Sequence, residues 1–100
     1  MGHSARSAAF LIESRIAKAI SGDVKALYEL GVAYSTGSRG VDVDLIEAHK
    51  WFNLAALNGS AQAQECRADI AEEMSAREIA EAQRQARAWL AEIHPVRRVA

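Results

Sequence analysis

The phrase Gly-x-x-x-Ala occurs as Gly22/Ala26 and again 37 residues later as Gly59/Ala63. Between the two copies lie two helical patterns, Leu27 to Tyr34 and Leu45 to Ala56, separated by the Gly-rich loop Thr36-Gly37-Ser38-Arg39-Gly40. A recurrence of this length marks a solenoid, whose units cannot bury their apolar faces alone and stack on neighbours to do so. The chain is therefore constrained to stacked helix pairs with a long exposed surface, an architecture that works by binding and not by chemistry of its own.

Composition narrows the class further. The 100 residues, half of them apolar, suffice for a single domain (1–100) with one small core. A formal charge of −1 offers no global field for nucleic acid or anionic lipid. Cys66 is the single cysteine, so there is no internal disulfide and no thiolate metal site. No apolar run approaches the roughly 18 residues of a membrane span. The run Ala8-Ala9-Phe10-Leu11-Ile12 is cut short by Glu13 and Arg15, so no secretory signal is expected. The expected location is cytoplasmic.

Pro95 is the only proline, and no segment alternates with period two, so the chain reads as all-α. An N-terminal helix over 7–21 places Ala9, Ile12, Ile16, Ala19 and Ile20 on one face and stops at Ser21-Gly22. Asp23 caps a second helix with Leu27, Leu30, Gly31 and Tyr34 at helical spacing, and Gly37 and Gly40 supply its left-handed exit. Asp44 caps a third helix, whose buried side is read as Leu45, Ala48, Phe52 and Ala55 with Trp51 beside them. It stops at Asn58-Gly59. A fourth helix is read from Ser60 to Met74, with Ala63, Cys66, Ile70 and Met74 in line. Ser75 and Glu78 have capping-box spacing and open a fifth, carrying Ile79, Ala82, Ala86, Trp89, Leu90 and Ile93. His94-Pro95 ends it, and 95–100 is a frayed tail. Leu30, Tyr34, Trp51 and Phe52 are the expected centre of the core.

Leu30-Gly31-Val32-Ala33-Tyr34, Gly40-Val41, Asp44, Ala48, Trp51 and Ala55-Ala56 together resemble a Sel1-like repeat, a relative of the tetratricopeptide repeat. The resemblance implies a short α/α superhelix of about five antiparallel helices, comprising one repeat (22–58), a degenerate half repeat (59–74) and a capping helix (75–94). The second copy lacks the Leu-Gly-x-x-Tyr phrase, since Arg67 stands where Leu30 stands one period earlier. Glu47 and Leu54 also occupy positions where the family often has lysine.

No catalytic constellation can be assembled, so no enzyme and no cofactor is expected. His3, His49 and His94 are dispersed and read as surface or packing residues, and Cys66 as a buried structural thiol. Asp42-Val43-Asp44 lacks the other ligands of a calcium loop. Two rows beside the core stripes are candidates for partner binding. Lys25, Tyr28, Val32 and Ser35 follow one another on the second helix, and Glu65, Asp69 and Glu72 on the fourth. If the chain packs as the resemblance implies, both rows line the concave face, and Tyr28 and Val32 are anchors for a peptide. The competing readings are that Tyr28 packs under the N-terminal helix and that the acidic row is only a solvated face.

The resemblance implies a non-enzymatic adaptor or scaffold that binds a protein or peptide, favouring one with a basic segment. Neither nucleic acid nor membrane is an expected partner. The alternative is a self-associating structural subunit, a homodimer through exposed repeat edges.

Overall fold

Every helix start after the first is written by a short polar side chain that satisfies an orphan backbone N–H. Asp23, Asp44 and Ser60 accept from the N–H groups of Ala26, Glu47 and Ala63 at 3.1, 3.1 and 3.0 Å. Ser75 Oγ accepts from Glu78 N–H at 3.1 Å, and Glu78 Oε1 accepts from Ser75 N–H at 2.8 Å, closing a reciprocal capping box. In the computed structural model of the protein, residues 3–93 are described, with side chains from residue 11 onward. They form α1 (His3–Ile20), α2 (Val24–Thr36), α3 (Leu45–Leu57), α4 (Ala61–Ala71) and α5 (Ala76–Ile93), with no strand among them. The side chains of Ala9 and Phe10, the His94-Pro95 stop and the tail lie outside the described residues.

The stops repeat with the period. Gly22 (φ 86°) and Gly59 (φ 101°) both end a helix in the left-handed conformation. At each, one backbone N–H reaches back three residues and the next reaches back five: Gly22 to Ala19 and Asp23 to Lys18, Gly59 to Ala56 and Ser60 to Ala55. The Gly-x-x-x-Ala phrase is therefore a helix stop followed by a capped start. Between α2 and α3, Gly37, Arg39 and Gly40 all take positive φ, and Asp44 N–H returns to the Tyr34 carbonyl at 2.9 Å.

Helix α3 is the hub, packing on α2, α4 and α5, while α1 covers α2 and α2 touches α4. Its buried residues are Ala48, His49, Trp51, Phe52, Leu54 and Ala55, an arc far wider than one stripe because neighbours cover it on several sides. Phe52 lies flush on α2 where Gly31 has no side chain. Trp51 meets Trp89 of α5 edge to face, with centroids 4.9 Å apart. Its Nε1 donates to Glu47 Oε1 at 3.1 Å, and Lys50 Nζ lies 4.6 Å from the ring centroid. Ala82 and Ala86 let α5 close on the core, and its opposite face carries the exposed Arg84, Arg87 and Glu92.

The described side chains correct several expectations. Leu30, Trp51 and Phe52 are buried as read, but Tyr34 is only half-buried, at the edge of the cluster. Leu54, which stands where the family often has lysine and is not among the residues read as buried, is fully buried. Helix α4 ends at Ala71 and not at Met74, because Glu72, Glu73 and Met74 tighten into bonds reaching three residues back. Cys66 is half-buried, not buried.

Candidate interaction face

Helices α2 and α4 stand one period apart, both pack on α3 and touch each other. At 100° per residue, Lys25, Tyr28, Val32 and Ser35 fall within about a quarter turn of α2, and Glu65, Asp69 and Glu72 within a similar arc of α4. The two rows are not equally free. Tyr28 is half-buried, its ring 5.8 Å from Phe52 and its hydroxyl beside Cys66. Burial first, and the thiol second, push the phenol above its ordinary value, so it stays a hydrogen-bond donor at any physiological pH. Tyr28 thus sits at the seam where α2, α3 and α4 meet.

Val32 packs partly against the core, and Ser35 Oγ donates to the Val32 carbonyl at 3.1 Å, which keeps that hydroxyl within its own helix. Lys25 is exposed and also lines a cleft of about 290 Å³ between α1 and α2, together with Arg15, Lys18 and Glu29. Arg15 Nε donates to Glu29 Oε1 at 2.8 Å there, tying α1 to α2. Glu65, Asp69 and Glu72 are all exposed. The face therefore has a half-buried aromatic seam, an acidic rim on α4 and a basic edge toward α1.

Sequence reasoning missed the polar joint behind this face. His49 is 3% exposed, and Arg67 Nη1 of α4 donates to Asn53 Oδ1 of α3 at 2.5 Å. Subtracting the period maps His49, Asn53 and Arg67 onto Ile12, Ile16 and Leu30, all apolar. The substitution of Leu30 by Arg67 is thus matched by a second change on the facing helix. Comparing these three positions one period apart is the signal that reveals it.

Antiparallel helices, repeated stop-and-start motifs and side-by-side first helices define the class: an α/α helical repeat of the kind used for protein–protein interaction. Residues 24–60 match the family model of the Sel1 repeat, and the chain carries a Sel1 repeat there. No curated protein and no solved structure matches the chain. Among the described residues no helix is long and apolar enough to cross a membrane.

Proposed function

We propose that the protein is a non-enzymatic interaction module that holds an extended partner segment along α2 and α4. The observation that carries this reading is the seam at Tyr28. An aromatic ring half-open to solvent, its hydroxyl beside the Cys66 thiol and an acidic row one helix away, is the setting in which an anchor residue gains most. Glu65, Asp69 and Glu72 favour a segment that carries Lys or Arg beside an apolar anchor. Their exposure means that they act on association rate and specificity more than on affinity.

The test is capture of binders from the host extract by the tagged protein, compared with Tyr28→Ala and with Glu65→Lys/Asp69→Lys. Specific binders should be lost from both variants and should weaken as salt rises. Glu65→Lys/Asp69→Lys should keep the parent's melting transition, and Tyr28→Ala, which also loses packing on Phe52, is compared below its own lowered transition. Binders indifferent to both variants place the site elsewhere. A concentration-dependent dimer that loses its self-association in these variants would replace the adaptor reading with self-assembly.

A further inference from the structure

The joint between α3 and α4 is built differently from the rest of the molecule. Helix α4 contributes a single fully buried residue, Ala63, whereas α3 contributes six. Beyond Ala63, α4 is held by the half-buried Cys66 and Ile70 and by the Arg67–Asn53 bond, and on α3, one turn before Asn53, His49 Nδ1 is buried with no hydrogen-bond partner. Such an orphan costs free energy even when the ring is neutral, and a charged ring in the same place costs far more.

We propose that His49 makes the α3–α4 joint acid-labile: protonation of the buried imidazole beside Arg67 parts α4 from α3 while α2 and α3 stay packed.

The groups around the joint all point this way. From α4, the charged group bearing on His49 is Arg67, which repels an imidazolium. On α3 itself, Glu47 lies about 200° round the helix and is engaged by Lys50 at 2.8 Å and by Trp51. From α2 the buried residues are Ala26, Leu27, Leu30, Gly31 and Ala33, and from α5 Ala82 and Ala86, none of which titrates, while the half-buried Tyr28 of α2 lies against Cys66 of α4 at the same seam. Glu29 is paired with Arg15 of α1. No described carboxylate is therefore placed to welcome the proton.

Burial first, and Arg67 second, hold the imidazole below its ordinary value near 6.5. The opened chain takes up the proton near that value while the closed joint resists it. The joint is therefore at full strength above about pH 7 and weakens as pH falls through about 6.5. Since α4 carries the acidic row, opening would dissolve the α2–α4 face. That consequence rests on the interaction reading, but the opening itself does not.

The experiment follows amide hydrogen exchange of the whole chain at pH 7.5 and 5.5, with each rate divided by that of an unstructured peptide at the same pH. Protection over 61–71 should fall severalfold at the lower pH while 27–33 and 48–55 keep theirs. In His49→Gln, and in His49→Ile, which restores the residue type of position 12, the α4 protection should not change with pH. His3 and His94 are retained throughout and control for their own titration. The proposal is overturned if α4 protection in the parent is the same at both pH values, if it falls equally in His49→Gln, or if all helices lose protection together. The parent's own α4 profile decides the matter even if a variant fails to fold. None of these readouts involves a partner, so a failure here leaves the interaction reading untouched.

Discussion

A methyl group added to Gly31 would clash with the edge of the Phe52 ring, which is 1% exposed and closely packed. Gly31→Ala should therefore cost about 1–3 kcal/mol through overpacking. In a domain of this size that appears in a thermal melt as a fall of roughly 4–8 °C per kcal/mol. Gly59 is a different case, because nothing stands within 4 Å of a Cβ there and its φ of 101° is the whole constraint. Gly59→Ala should cost about 1 kcal/mol or more through the left-handed backbone alone. The same holds at Gly22, so the two stops can be compared in one experiment. Phe52→Ala removes the largest fully buried side chain and should cost about 3–5 kcal/mol, measured by denaturant titration. Unchanged stability in Phe52→Ala would mean that the contact of α2 with α3 is not the core.

At the scale of elements, what is local was legible. Asp23, Asp44, Ser60 and Ser75 each cap the helix that follows, because a capping bond spans only three residues and leaves its mark in short sequence. Ser75→Ala should accordingly lower stability by about 1 kcal/mol, seen as fraying of the first turn of α5 in hydrogen exchange. What depends on neighbours was less legible. A one-stripe reading of α3 found Ala48, Phe52 and Ala55 but not His49 or Leu54, because three helices surround α3 and widen its buried arc. The end of α4 at Ala71 was misjudged for a related reason. Ile70 and Met74 fit a helical spacing, but α4 buries only Ala63 fully, so little packing holds its last turn in α-form. The rows at Lys25 to Ser35 and Glu65 to Glu72 could be placed on their helices by spacing. That Tyr28 meets Phe52 and Cys66, and that Lys25 turns toward α1, follows only from how the helices are set side by side.

For the whole molecule, one repeat between two covering helices is close to the least that can stand alone. Helix α5 covers α3 with Ala82, Ala86, Trp89 and Leu90 and turns charge outward. Ending the chain after Met74 should expose Trp51 and the α3 surface under α5, giving an aggregating or molten species in light scattering and near-ultraviolet dichroism. A truncated chain that stays monomeric and melts cooperatively would show that α5 is an appendage. The central claim is that the surface made by α2 and α4 is what a partner touches. Amide chemical-shift mapping of the labelled protein, titrated with a segment captured from its host, addresses that claim most directly. Shifts should concentrate at Lys25, Tyr28, Val32, Ser35, Glu65, Asp69 and Glu72, and should shrink as salt is added. Shifts gathered instead on the outer side of α5, around Arg84, Arg87 and Glu92, would contradict it.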